Sequence, residues 1–338
     1  MSGQDIAAAA RLLEQGELVA LPTETVYGLG ADAENPAAVA RIYAAKGRPM
    51  DHPVIVHIAP GADLAHWATD IPHEAYELAE AFWPGPLTMI LTRAPGIPDA
   101  VSGGQDTVGI RCPSHPVAIA LLQAFKGGQG GIAAPSANKF GNVSPTTAQH
   151  VRDEFGADAT VAAILDGGQS QVGIESTIVD LSRLATHGPV LLRPGHISAD
   201  AIAAVIDSLP AAPDAAAPRA SGTLASHYAP HTPVAMQDRA ELAQTLARLQ
   251  AAGRKVALIH YSDFPPSHAE VQLPSAPEGF AHALYAALRM MDQAGADVIL
   301  VEAPPHSAQW LGVNDRLRRA AHGSSGIVQG LLNHDAPA

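Results

Sequence analysis

The stretch Lys46-Gly47-Arg48-Pro49-Met50-Asp51-His52-Pro53 runs directly into the apolar segment Val54-Ile55-Val56-His57-Ile58. Lys46 and Arg48, one residue apart, cannot share a helix face, and Gly47, Pro49 and Pro53 oppose a helix. The stretch is therefore predicted to be a loop. The β-branched segment after it is predicted to be a buried strand, which holds that loop at a sheet edge where a polyanion reaches both cations. Lysine brings a movable point charge and arginine a flat fork of donors, and phosphates favour both. A solvated basic turn is the alternative for these residues taken by themselves. The arrangement recurs, however: Thr25, His57, Arg111, Ser136, Ser176 and Arg193 each stand at or beside the end of a short apolar run. Open α/β sheets place ligands at strand ends, so the recurrence predicts an α/β fold whose site is gathered from several strands.

A chain of 338 residues exceeds one ordinary core, and two domains are expected. The first is predicted to span 1–209, an Ala/Pro-rich linker 210–231, and the second 232–338. In the second, strands at Val234–Met236, Val256–His260 and Val298–Glu302 alternate with helices, which predicts a small parallel α/β unit. Its late polar group, His306, Trp310, Asn314, Asp315 and Arg316, reads equally as packing and capping or as function. With 47% hydrophobic and 16% charged residues, the composition excludes a disordered chain. No long apolar run or leader pattern is present, so a cytoplasmic protein with no membrane association is expected. The single cysteine, Cys112, cannot form an internal disulfide. A net charge of −13 opposes nucleic acid; any service to RNA chemistry is expected to run through a small molecule, without tight tRNA binding.

Several motifs have competing readings. Gly28, Gly30 and Ala33 fit G-x-G-x-x-A, with Asp51 at about the right distance for a dinucleotide fingerprint. That fingerprint opens a helix, whereas the helix signal here begins later, at the cap Asn35 and Pro36. No G-x-x-x-x-G-K-[ST] occurs, which excludes a P-loop. Trp83, beside Pro84-Gly85-Pro86, reads as a packing plug or a base-stacking ring. Arg111 reads either as the partner of a carboxylate or as a surface arginine. Ser144 and Thr146 precede a helix running to Phe155 and are explained by capping or by ligand contact. His227 and His231 are four apart, but Pro230 opposes a helical metal pair.

Taken together, Pro22-Thr23-Glu24-Thr25-Val26-Tyr27-Gly28-Leu29, Lys46-Gly47-Arg48-Pro49, Pro53-Val54-Ile55-Val56-His57, Trp83-Pro84-Gly85-Pro86-Leu87-Thr88, Pro135-Ser136-Ala137-Asn138 and Arg193-Pro194-Gly195 resemble the YrdC-type threonylcarbamoyl-adenylate synthases. The linker ending Ser226-His227-Tyr228-Ala229-Pro230 and the second α/β unit resemble the longer, two-domain branch. The resemblance implies a YrdC-like twisted mixed sheet plus a smaller C-terminal parallel, Rossmann-like α/β domain, with the linker as a cover over the site. It implies a nucleotidyltransferase that condenses L-threonine, bicarbonate or CO2, and ATP to threonylcarbamoyl-AMP with release of pyrophosphate, for N6-threonylcarbamoyladenosine in tRNA. By the same resemblance Thr25, His57, Arg111, Ala134 and Ser176 hold threonine. Lys46, Arg48, His52, Thr107, Ser136, Asn138, Ser144, Arg193 and Tyr228 line the nucleotide, with Lys46 and Arg48 catalytic. Asparagine is frequent in the family where this chain has His52. Magnesium is expected with ATP, without a named protein ligand, and a downstream threonylcarbamoyl transferase complex is the expected consumer. The rival readings are an RNA-binding module, a dinucleotide oxidoreductase and a carbamoyltransferase of related fold.

Overall fold

Asn35 caps the helix Pro36–Lys46 by accepting from the amides of Ala37 and Ala38, and Gly47 closes it in the left-handed region at φ 65°. A left-handed closing residue favours glycine, so the helix ends where the basic loop begins. Lys46 is its last residue rather than part of the loop. The computed structural model describes residues 2–156, 160–224 and 227–333. Its chain forms two units, Met1–Phe140 with Ser144–Thr223, and Gly141–Val143 with Leu224–Ala338. The stretch 210–231 is thus divided at Thr223, and Ser226 lies outside the described residues.

Among the described residues of the first unit, ten strands make one mixed sheet. They are β1 (Leu18–Leu21), β2 (Gly28–Asp32), β3 (Ile55–Ile58), β4 (Ala68–Thr69), β5 (Leu87–Arg93), β6 (Thr107–Arg111), β7 (Gly131–Ala133), β8 (Val161–Ile164), β9 (Thr177–Asp180) and β10 (Val190–Arg193). The order is β10-β9-β5-β6-β3-β7-β2-β1-β8, with β4 on β5. The pairs β3/β6, β5/β9 and β1/β8 are parallel and the others antiparallel.

Period-two alternation gives this sheet two unlike faces. Val56, Met89, Leu91, Val108, Ile110 and Val179 enter the main core with Ile42, Leu78, Val151 and Ile202 of the covering helices. The intervening positions face the other way. There Ile90, Ile178 and Ala220 form a small apolar cluster with Ile55. On this second face His57 lies opposite Arg111, and Ile178 lies opposite both Thr88 and Arg193.

The G-x-G-x-x-A fingerprint is a strand here, not the start of a helix. A Cβ on Gly30 would stand 2.9 Å from both Ile132 and Leu21, and one on Gly28 3.0 Å from Ala134. These glycines let neighbouring strands interdigitate, and the dinucleotide reading is overturned. Trp83 donates from Nε1 to the Leu87 carbonyl at 2.7 Å and packs on the core, as a plug. Thr147, not Ser144 or Thr146, caps the helix Ala148–Phe155.

In the second unit β11 (Val234–Gln237), β12 (Val256–His260), β13 (Ala269–Gln272) and β14 (Val298–Glu302) form a parallel sheet of order β11-β14-β12-β13. β12 and β14 are buried at every residue, as a parallel sheet covered on both faces requires. The helix Arg239–Ala251 covers one face through Leu242, Leu246 and Leu249. β13, Ala-Glu-Val-Gln on the edge, is an element the sequence pattern did not announce.

Candidate active site

Arg111 ends β6 and is 3% exposed, so it is no surface arginine. Its Nη2 donates to Glu24 Oε1 at 2.5 Å, its Nη1 to Thr25 Oγ1 at 2.8 Å and its Nε to the Gly85 carbonyl at 3.3 Å. The second oxygen of Glu24 accepts from the Ser114 amide at 3.1 Å. Thr23 spends its hydroxyl proton on the Val26 carbonyl at 2.6 Å. The 2.9 Å contact between the two threonine hydroxyls must then be donated by Thr25. Arg111, Thr25, Thr23 and Val26 form one directed relay, and Glu24 supplies the carboxylate that sequence reading left open for Arg111.

His57 sits in register with Arg111 on the same face. Burial, reinforced by the neighbouring guanidinium, pushes its imidazole down to about 3, and its Nδ1 is buried without a partner. A neutral ring beside a buried cation is the arrangement expected when charge on both would be prohibitive. Ala134 follows β7 and donates its amide to the Ile55 carbonyl at 3.0 Å.

Lys46 Nζ donates to the carbonyls of Ser136 and Asn138, each at 2.5 Å, so the helix end clasps the loop after β7. Burial, followed by the charge of Arg48, lowers the Lys46 ammonium well below its usual range. Arg48 donates to the carbonyls of Pro53 at 2.8 Å and His52 at 3.3 Å, and to Ser221 Oγ at 3.3 Å. Its guanidinium lies 5.7 Å from the centre of the Phe140 ring, which His52 meets edge-on at 5.4 Å. Arg193, ending β10, donates to the Ser221 carbonyl at 2.8 Å and to the Ser176 carbonyl at 2.9 and 3.0 Å. Ser221 therefore joins the two arginines. Its segment is pinned by Arg219, which exchanges hydrogen bonds with the Gln105 side chain at 2.7 and 3.1 Å.

Ser176 Oγ meets Thr88 Oγ1 at 2.8 Å and accepts from Arg193 Nη2 at 3.1 Å. Ser144 donates to Glu175 Oε1 at 2.5 Å and does not cap the helix that follows. Thr107 opens β6 and lines a small crevice with Pro53, Ile55, Ile90, Ala220 and Ser221. The first unit thus brings together Thr25 with Arg111 and His57, Ser176 with Arg193, and Lys46 with Ser136 and Asn138. Tyr228 belongs to the second unit, buried with its ring 5.8 Å from Tyr285 and 5.4 Å from the Arg316 guanidinium.

Glu24, Thr88 and Glu175 were not singled out as functional from the sequence. Glu24 and Thr88 lie inside the motifs Pro22–Leu29 and Trp83–Thr88 that carry the family resemblance, and that is the signal that could have found them. Cys112 is a buried thiol whose pKa burial raises to about 12, so it is no nucleophile. Among the described residues, no group of three or more His, Cys, Asp and Glu side chains is arranged to hold a metal ion, and no helix is long and apolar enough to cross a membrane.

A family model described as "Telomere recombination" (Sua5_yciO_yrdC) matches residues 11–195, and one described as "Threonylcarbamoyl-AMP synthase, C-terminal domain" matches 197–322. The chain is 40% identical to the threonylcarbamoyl-AMP synthase of Pyrococcus abyssi (strain GE5 / Orsay), over 93% of each chain. It is likewise 40% identical to that of Bacillus subtilis (strain 168), over 94% of this chain and 93% of the relative. The structure of P. abyssi Sua5 complexed with L-threonine superposes with a TM-score of 0.87 at 39% identity, covering 95% of both chains. This chain belongs to the threonylcarbamoyl-AMP synthase family, in the form that carries both the YrdC-like and the C-terminal domain.

Proposed function

We propose that the first unit joins L-threonine, bicarbonate or CO2, and ATP into threonylcarbamoyl-AMP, releasing pyrophosphate. The observation that carries this reading is that one unit holds Arg111 in register with His57 and bonded to Thr25, Arg48 and Arg193 meeting at Ser221, and Lys46 on the loop after β7. In the proposed sequence, the threonine amine attacks the carbon of bicarbonate with loss of water, or of CO2 with loss of an amine proton, to give a carbamate. A carbamate oxygen then attacks the α-phosphate, and the bond to the bridging oxygen breaks as pyrophosphate leaves. Arg111, Thr25 and Ser176 orient the amino acid, with His57 and the Ala134 backbone beside it. Lys46 and Arg48 balance charge on the leaving pyrophosphate. His52, Thr107, Ser136, Asn138, Ser144 and Arg193 position the nucleotide, and Tyr228 is assigned to it on the family resemblance. Alignment and charge neutralisation are the larger part of catalysis in such a displacement.

The carboxylates near this face, Glu24 and Glu175, are bonded to Arg111 and Ser144 and do not form a cage for magnesium. The expected Mg2+ would therefore enter with ATP, held by its phosphate oxygens, and would supply charge neutralisation there. The labile product is proposed to pass to a threonylcarbamoyl transferase complex without tight tRNA binding here. The test is mass spectrometry of the purified protein given threonine, bicarbonate, ATP and magnesium. Threonylcarbamoyl-AMP with one equivalent of pyrophosphate is expected. Pyrophosphate formed equally without threonine or bicarbonate would remove the proposal.

A further inference from the structure

The second unit contains a polar cluster that the reaction above does not use. After β12 the chain moves outward to β13, and the helix Pro277–Asp292 then returns it to β14, between β11 and β12. The direction of winding reverses at the carboxyl ends of β12 and β14. Open parallel sheets bind ligands in the crevice at such a reversal.

Three adjacent strands end there in polar residues. Gln237 pairs with Glu302 in the register of β11 and β14. Ile259 pairs with Val301 in that of β12 and β14, which sets His260 next to Glu302. Val256, Leu258, Val298 and Leu300 pack in the cluster with Leu242 and Leu246, and Ala235 packs against it. Two-residue alternation turns His260, Glu302 and Gln237 to that same helix-covered face. Glu302 is 1% and His260 6% exposed.

Each of the three presents a buried acceptor with no donor. Glu302 Oε2 accepts from the amides of Tyr261 at 2.8 Å and Ser262 at 2.9 Å, but Oε1 has no partner. His260 Nδ1 lies 2.5 Å from the Ser262 carbonyl, which can only accept, so Nδ1 carries the proton. The remaining Nε2 is buried without a partner, and in the tautomer with the proton on Nδ1 it is an acceptor. Gln237 Nε2 donates to Glu241 Oε1 at 3.0 Å, which fixes the amide orientation and leaves Oε1 buried and unpartnered. Unpaired buried acceptors are unfavourable. One carboxylate, one amide oxygen and one imidazole nitrogen in a row are complemented by several donors on a single positive centre. Phe264, edge-on to His260 at 5.6 Å, adds an apolar wall, and residues 261–268, which follow β12, form neither helix nor strand.

We infer that the carboxyl ends of β11, β14 and β12 bind a small ligand carrying a protonated nitrogen, an ammonium or amidinium, which donates to Gln237, Glu302 and His260. The inference is independent of the chemistry proposed for the first unit. It is tested by isothermal titration calorimetry of the full chain with putrescine, agmatine and benzamidine. Acetate and inorganic phosphate serve as anion controls, and zinc chloride as a metal control. One-to-one saturable binding of at least one amine or amidine is expected, weakened about tenfold or more by Glu302→Gln and by Gln237→Leu. Glu302 also holds two loop amides, so Gln237→Leu keeps the test decisive if Glu302→Gln does not fold. Absence of heat from all three cations, binding unchanged in both variants, or binding of zinc alone would each overturn the inference.

Discussion

The two units bury positive charge in opposite ways. In the second, Arg316, Arg318 and Arg319 converge on the carboxylate of Asp315 at 3.0, 2.6 and 2.9 Å. Burial alone would raise that carboxyl, yet the bond from Arg319 and the charges of all three arginines hold it below its usual range. In the first, Lys46, Arg48 and Arg193 donate to carbonyl and hydroxyl oxygens. Carbonyl and hydroxyl oxygens fix the direction of these side chains, whereas a shared carboxylate also balances charge. The difference separates a knot that ties a helix from a face suited to a polyanion, and Arg111 with Glu24 stands between the two.

The largest effect that sharpens this contrast is on stability. Glu24→Ala leaves Arg111 buried without its carboxylate and is expected to cost about 3–5 kcal/mol, measured by urea unfolding. Arg318→Ala, whose side chain is 71% exposed, is expected to cost under about 1 kcal/mol. Next in size, Lys46→Ala or Arg48→Ala is expected to lower threonine- and bicarbonate-dependent pyrophosphate release by about 100-fold or more, with circular dichroism unchanged. Arg318→Ala is expected to keep near-normal release; equal losses in both units would erase the distinction. A packing test follows. Gly30→Ala places a Cβ 2.9 Å from Ile132 and Leu21 and 3.0 Å from the Val19 carbonyl, and is expected to cost about 1–3 kcal/mol.

The least direct test of the comparison concerns acid. With its folded value at about 3, His57 binds a proton in the unfolded chain at a higher pH than in the folded one. Its contribution to stability is present above the ordinary histidine range and falls as pH drops from about 6.5 toward 3, by up to about 1.4 kcal/mol per unit. Denaturation midpoints across that window should have a shallower pH slope in His57→Gln; identical slopes would show that other groups set it.

Much of this was legible in the sequence because a polar residue ending an apolar run is a local signal. Thr25, Arg111, Ser176 and Arg193 stood out on those grounds. Their partners did not, since Glu24 and Arg111 are 87 residues apart and Thr88 and Ser176 88. Pairing at such separations is decided by strand order, which no local pattern encodes. β2 was hidden because glycine ordinarily marks a turn; only the packing of Ile132 and Leu21 explains its place in a strand. β13 was hidden because an edge strand alternating partly buried and exposed residues has too little apolar content to register. The two buried strands β12 and β14 lay open to reading, as continuous apolar runs.

The neutral imidazole of His57 has one more consequence. A side chain that neither gains nor loses a proton between mild acidity and alkalinity gives the amino-acid end of the face a constant charge across that span. Uptake of bicarbonate or CO2 nevertheless requires an unprotonated amine. His57 then contributes no acid limb of its own to the rate of the proposed reaction, and exchanging threonine for an analogue of lower amine basicity should move the limb that the amine sets without touching the protein.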